Sequence, residues 1–429
     1  MAKTRETIDM WQTVIRRTRA GVVLAGALSL LACSDLLEVP FPGRIPTDQL
    51  ISPTLAPVLV SSVIGDFECA YSNYTGGSAV HSDEYESANG NIPLTLWGER
   101  GISNTEDDYV LGGCETTSSF GLNLTLYTAR LQSETIYKQL DAWTDAEVSA
   151  IDPNLRTSYM ATVRAYGAYA LTMMGETFCS VAFDRGPELE PTVALDSAEI
   201  KFQEAITLAQ ASANTDVLLM ARLGLARVKL DLKKWADAAA LAGTFTDPTY
   251  VKMATRGAND TRRYNKLFYY ASELGAFVVA TAYRTMAVTD PRVKVADTGR
   301  GAFLQNVDLW ITTKYAGRES PIRLASYAEA RLILAEALAQ QGQAGAAMDI
   351  INADRAAAGL APLSAANQAE AVAAVIAERR AVLSFEGGHR LNDLLRTHTP
   401  WKVGSNVFTG RIYGQTTCWP FPLKESQGA

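Results

Sequence analysis

Histidine is scarce in this chain of 429 residues: His81, His389 and His398 are all it has, at no spacing that suits a shared metal ion. No Gly-x-Ser-x-Gly elbow occurs, and no glycine loop built to cradle phosphate. Long runs of one charge sign are missing too. The net charge is −7, and nothing suggests the basic stripe that nucleic-acid binding needs. Beyond the N-terminal segment no stretch reaches the ~20 uninterrupted apolar residues of a membrane helix. His81-Ser82-Asp83-Glu84 sets hydrolytic residue types side by side, but the members of a triad converge from distant segments. Asp107-Asp108 reads as a solvated surface pair rather than the spaced carboxylates of a glycosidase. These absences argue against an enzyme, a resident metal and a cofactor.

Cysteine is also sparse, with five in all, and one stands apart from the rest. Arg16, Arg17 and Arg19 precede an unbroken small-and-apolar run from Ala20 to Ala32. As a helix this run would reach only ~20 Å, short of a bilayer core about 30 Å thick, so it reads as a signal-peptide h-region. It ends in Leu30-Leu31-Ala32-Cys33, two aliphatics, a small residue and a cysteine, which resembles the bacterial lipobox. The expectation is a lipoprotein signal peptide over 1–32, cut before Cys33, with lipid on that thiol. An ordinary secretory cleavage near Ala32 and a buried N-terminal helix are the alternatives. The segment before the run is long for an n-region, which makes Met10 a second candidate start. The neighbours of Arg16-Arg17 match a twin-arginine signal poorly. Setting Cys33 aside leaves Cys69, Cys114, Cys179 and Cys418, an even number that in an exported chain favours disulfides over buried thiols. The sequence leaves their connectivity open.

Pro40, Pro42 and Pro46 make 33–49 an extended, lipid-anchored stalk, and 50–429 reads as one folded body. Tyr159, Val163, Tyr166, Ala170 and Met174 recur at helical spacing, predicting a helix over about 155–174 with Gly175 as its stop. Val217, Ala221, Gly224, Leu225, Val228 and Leu232 form a second stripe. A third helix is expected over about 325–341, ended by Gly342, and a fourth over about 343–358, ended by Gly359. Laying Ala226 on Ala335 places Ala238 on Ala347, small residues at the same spacing in both copies. Short helix, tight turn, short helix with small residues at the crossings is the logic of tetratricopeptide repeats, although a plain antiparallel bundle shares it. The fold class that follows is mainly α, a tetratricopeptide-like helical repeat scaffold with irregular loop-rich insertions. Its helices fall at about 155–245 and 325–396. The insertions are expected at about 66–118, rich in Gly, Ser, Asn and acidic residues, and at about 247–321, dense in turn-formers and aromatics. Long irregular excursions of this kind more often carry function than architecture.

Specific residues in the last third carry a resemblance. The segment from Arg323 to Leu338 looks like the helix that defines the SusD/RagB family of nutrient-binding outer-membrane lipoproteins. Glu378-Arg379-Arg380, Phe385-Glu386-Gly387-Gly388-His389-Arg390 and Asp393-Leu394-Leu395-Arg396 resemble that family's late helix-and-cap motif. Asp290-Pro291-Arg292, Lys314-Tyr315, Met174-Gly175-Glu176-Thr177 and Trp419-Pro420-Phe421-Pro422 also sit where family members have similar residues. The chain departs from the pattern in a turn one residue longer before Arg390, and in Val382 and Leu391, where Glu and Trp are common. The resemblance implies a clasp of ion pairs among Glu378, Arg379, Glu386, Arg390, Asp393 and Arg396. The same clasp displaces an acid–base reading of Glu386 with His389. It also implies that Cys179 pairs with Cys418, leaving Cys69 with Cys114.

Function follows from the resemblance as an expectation. A family member captures a glycan or other nutrient oligomer on the face built by its insertions and delivers it to a SusC-like TonB-dependent transporter, held at the outer-membrane surface by its lipid. Sugars stack on aromatic faces while polar side chains bind their edges. Trp97 and Trp310 lead the candidates for ligand binding, followed by Tyr74, Tyr85, Asn89, Tyr283 and Tyr315. Each aromatic serves a core as readily. Two other readings remain: a lipid-anchored repeat scaffold that binds no small ligand, and a surface glycan hydrolase.

Overall fold

The protein is described by a computed structural model over residues 51–423, so Cys33, the signal peptide and the stalk lie outside the described residues. Helix α1 (Ala56–His81) leads into β1 (Tyr85–Ser87), α2 (Ile92–Gly98), α3 (Asp107–Leu111), α4 (Asn123–Ala142) and α5 (Asp145–Val148). A helical run follows: α6 (Leu155–Thr177), α7 (Thr192–Ala211), α8 (Thr215–Asp231) and α9 (Trp235–Ala242). Short elements interrupt it: β2 (Val251–Ala254), β3 (Phe277–Val279), α10 (Thr281–Thr289), β4 (Val295–Gly301), β5 (Asp308–Thr312) and β6 (Ile322–Ser326). Helices α11 (Tyr327–Gln340), α12 (Ala344–Ala357), α13 (Gln368–Val382) and α14 (His389–Arg396) complete the body. The fold is mainly α and tetratricopeptide-like.

The two repeat copies agree at the level of single residues. Ala226, Ala238, Ala335 and Ala347 are all fully buried, where their small side chains let α8 meet α9 and α11 meet α12. The turns match as well. Lys233 and Gly342 occupy equivalent places with φ of 58° and 79°. Each helix then closes with the same long-range backbone bond, Lys234 N to Lys229 O at 2.8 Å and Gln343 N to Leu338 O at 3.0 Å. Gly359, φ 73°, ends α12 in the same manner.

Three expectations are corrected. Gly175 does not stop a helix, because α6 continues to Thr177. A Cβ at Gly175 would lie 2.6 Å from Leu195 Cγ, so the residue is small to admit α7. The third helix starts at Tyr327, since the residues before it form β6; Ser326 caps it by accepting from Glu329 N at 3.2 Å. The first insertion does not begin at 66, because 66–81 belongs to α1. The glycines that suggested a loop there are contact points: a Cβ on Gly76 would meet the Phe120 ring at 2.4 Å, and one on Gly77 the Trp97 ring at 2.9 Å. Burial of Phe67, Tyr71 and Tyr74 against α6 holds the helix despite its low intrinsic propensity.

Between the helical runs the chain forms antiparallel two-stranded ribbons, β1 with β3, β2 with β6 and β4 with β5. Disulfides join Cys69 to Cys114 and Cys179 to Cys418, the pairing the family resemblance implied. Cys179 N donates to Trp419 O at 2.9 Å and Trp419 N to Thr177 O at 2.8 Å, so the C-terminal segment is laced along the end of α6. Closing loops of 45 and 239 residues is expected to stabilise the fold by about 4 and about 5.5 kcal/mol respectively on the chain-entropy account.

The paired turns make a direct stability prediction. Lys233 is exposed and strained at positive φ, so Lys233→Gly should raise stability by about 0.5–1 kcal/mol in urea unfolding. Gly342→Ala meets no neighbouring atom yet should lower it by about 1 kcal/mol, through backbone strain alone. Opposite signs at equivalent positions are the expected result.

Candidate functional site

Two ribbons and a turn enclose an open cleft of about 470 Å³. In the β2–β6 ribbon Met253 stands opposite Arg323, and both line the cleft. The base of the β4–β5 hairpin supplies a second wall. Thr312 Oγ1 and Thr313 N donate to Lys294 O at 2.8 and 2.9 Å, which fixes Lys294 beside Thr313 and Lys314. The third wall is the segment after α13. Lys314 Nζ donates to Val382 O at 3.2 Å, Ser384 O at 2.8 Å and Glu386 Oε1 at 2.8 Å, using its whole donor set. Tyr315 sits at the wall with its hydroxyl donating to Phe385 O at 2.8 Å.

Charge in the lining is one-sided. Arg292, Lys294, Lys314 and Arg323 face a single carboxylate, Glu386. Arg292 is neutralised from behind by Asp290 and Glu378, each at 2.6 Å. Burial raises the Asp290 carboxyl, but hydrogen bonds from Arg292 outweigh it and hold the group below its ordinary value. Arg323 Nη1 donates to Glu386 at 3.2 Å, while its Nε has no hydrogen-bond partner. Among the described residues Lys294 makes no ion pair. Apolar surface from Met253, Pro321 and Val382 completes the lining.

The turn that carries Glu386 is held from several sides. Gly387 and Gly388 have φ of 50° and 74°, and a Cβ on Gly388 would lie 2.3 Å from the Tyr74 ring, so only glycine fits here. Arg227 Nη2 donates to Gly387 O at 2.9 Å and to Glu176 Oε2 at 2.6 Å. Arg379 Nε lies 3.0 Å from Asp393 Oδ2, Arg396 Nη2 2.6 Å from Asp393 Oδ1, and Arg396 also forks onto Glu336. The clasp residues are all paired, though several reach outside the late motif: Glu378 to Arg292 and Arg355, Arg390 to Asp83. Glu386 is held by Lys314 and Arg323. Burial, followed by the charge of Arg227, holds the His389 imidazole well below its ordinary pKa. An acid–base pair at Glu386 and His389 therefore lacks a free carboxylate.

Solved structures share this architecture. A SusD homolog from Bacteroides thetaiotaomicron aligns with a TM-score of 0.68 at 15% identity, over 90% of this chain and 98% of its own. A laminarin-binding SusD-like protein gives 0.62 at 16% identity, over 88% and 97%. A SusD-like carbohydrate-binding protein from Bacteroides vulgatus gives 0.60 at 15% identity, over 81% and 83%. Residues 231–417 match the sequence pattern of the SusD family. The fold is that of SusD-like proteins, and the matched segment lies in the C-terminal half of the chain. No curated protein sequence matches the chain.

Within this fold, most of the aromatic candidates for ligand contact are core residues. Trp97 is fully buried, donates from Nε1 to Ser119 Oγ at 2.7 Å, and packs edge-on against Tyr109, Phe120 and Trp419. Tyr74 is buried on α1 and donates to Glu176 Oε2 at 2.7 Å. Tyr85 and Tyr283 are buried against Phe385. Asn89 is an interior turn residue, donating to Ala276 O at 2.8 Å and accepting from Asn91 N and Thr95 Oγ1. Their rings and amide satisfy the packing of α1, β1 and β3, which a polar-looking sequence context concealed. Tyr315 is also buried, although it borders the cleft, so Trp310 is the one candidate left part-exposed. Trp310 is half-buried on β5 with Arg284 stacked 5.6 Å from its ring centre. Residue-type reasoning missed Lys294, Thr313 and Arg323, which no local sequence signal joins.

Next to this turn a buried carboxyl sets a pH dependence. Glu84 accepts from Phe385 N at 2.6 Å, and burial pushes its pKa from 4.5 up to about 8. The folded protein thus keeps a proton that the unfolded chain releases, so this contribution is complete below pH 4.5 and is lost as pH rises towards about 8. Glu84→Gln keeps an acceptor for Phe385 N and removes the titration. Its melting temperature should gain on wild type by a few degrees between pH 5 and pH 8; parallel pH profiles would contradict the assignment.

Proposed function

We propose that the chain is a cell-surface lipoprotein that captures a nutrient oligomer, most simply a glycan, and delivers it to a TonB-dependent transporter of the SusC type. The observation that carries the reading is the match over 97% of a laminarin-binding SusD-like protein, in a chain whose own surface offers a cleft lined by cationic and apolar side chains. Stacked helical hairpins provide an extended face suited to docking on a large partner. Leu30-Leu31-Ala32-Cys33 supports attachment through lipid. Among the described residues no helix is long and apolar enough to cross a membrane. The engaged state of Glu386 and the neutral, buried His389 favour capture over turnover.

Calorimetry against a panel of neutral and acidic oligosaccharides should detect a ligand. Trp310→Ala should weaken it about fivefold to tenfold by loss of a stacking face, whereas Trp97→Ala should instead cost about 3–5 kcal/mol of folding stability. Cys33→Ser should yield a folded protein released from the membrane fraction and unable to support uptake. Wild type should co-purify with a barrel protein from intact outer membranes. Failure to bind any oligosaccharide, together with failure to co-purify, would overturn the proposal.

A further inference from the structure

Resting on the glycan-binding reading above, we infer that the cleft between the β2–β6 ribbon and the β4–β5 hairpin is a subsite for an anionic sugar, with Lys294 and Arg323 holding its carboxylate or sulfate ester. Four cations and one carboxylate line this cleft in a chain whose net charge is −7, so its sign runs against the molecule. The surplus survives the internal pairing. Arg292 and Arg355 are matched by Asp290 and Glu378. Lys314 and Arg323 share Glu386, which leaves one positive charge between them. Lys294 adds a second and has no ion-pair partner among the described residues.

The donors are divided by role. Lys314 has all three protons committed to the turn, so it is a positioning residue for Glu386. Arg323 commits one Nη1–H to Glu386 at 3.2 Å; its buried Nε is out of a ligand's reach, but its Nη2 makes no hydrogen bond among the described residues and the side chain is 35% exposed. A planar fork with unspent donors beside a free ammonium suits a planar or tetrahedral anion better than a neutral hydroxyl. The backbone holds both in place: Arg323 is locked in β6 opposite Met253, and the Lys294 carbonyl accepts from Thr312 Oγ1 and Thr313 N. Met253, Pro321 and Val382 give the C–H face of a sugar ring an apolar surface to lie on. A volume of about 470 Å³ accommodates a small number of sugar units rather than a single ion.

The test measures binding of matched glycan pairs to the full-length lipidated protein in detergent. One pair is an oligogalacturonide and its carboxyl-reduced neutral counterpart; the other is a sulfated galactan oligomer and its desulfated form. An acidic member should bind at least about tenfold more tightly than its neutral partner, and the difference should shrink as salt rises from about 50 to 500 mM. Whichever pair shows the larger difference identifies carboxylate or sulfate as the group held. Lys294→Gln breaks no described ion pair, so it should fold normally and lose most of that preference. Arg323→Gln should act in the same direction. Equal affinity for both members of both pairs would overturn the subsite while leaving the glycan-binding reading intact. No binding of any glycan would overturn both. Binding of oligoglutamate with equal affinity and equal sensitivity to Lys294→Gln would overturn the assignment to a sugar.

Discussion

Arg227 and Glu176 meet in the interior with their side chains 3% and 0% exposed, and the rest of the structure is arranged around that pair. The guanidinium forks onto both carboxylate oxygens. Glu176 also takes the Tyr74 hydroxyl from α1, and Arg227 spends a further donor on Gly387 O in the turn before α14. One ion pair thus connects α1, α6, α8 and the late turn, segments separated by most of the chain. Removing two charges from water is costly, and the cost is offset only where geometry satisfies nearly every donor and acceptor. That requirement ties the four segments to the pair, with Arg227 Nη1 left without a hydrogen bond 3.7 Å from Glu329 Oε1.

The cleft inherits its shape from these ties. Holding Gly387 places the preceding Glu386 where Lys314 and Arg323 reach it, and those two residues come from the hairpin base and from β6. A second set of pairs, Arg379 and Arg396 with Asp393 and Glu336, fixes α14 against α11 and α13. The late motif therefore bears on the cleft through Glu386. It positions the turn, and the turn positions the cleft-lining charges.

The repeat scaffold was legible because its signals are local. Ala226 over Ala335 and Ala238 over Ala347 record helix crossings, and Gly342 and Gly359 record positive φ, each readable without knowing what packs on top. The disulfide pairing came from family resemblance; nothing in the spacing of the cysteines specifies it. Other signals misled. Gly76, Gly77 and Gly175 look like helix breakers, yet each sits inside a helix at a close approach of another element, a tertiary fact with no local mark. Trp97, Tyr74 and Tyr283 stand among polar residues and still belong to the core, because the polar neighbours of α1 are themselves buried and hydrogen-bonded, as Ser72 is to Tyr264 O at 2.7 Å. Lys294 and Arg323 come together only through strand pairing and a hairpin base, and no spacing rule joins them.

A double-mutant cycle on Glu176 and Arg227 tests the central dependence most directly. Urea unfolding of Glu176→Gln, Arg227→Met and the double variant gives the coupling energy between the two side chains. The arrangement predicts single losses of about 3–5 kcal/mol and a coupling of at least about 2 kcal/mol, because either change alone strands a buried charge. Losses that add within about 0.5 kcal/mol would show that the pair does not hold the four segments in register.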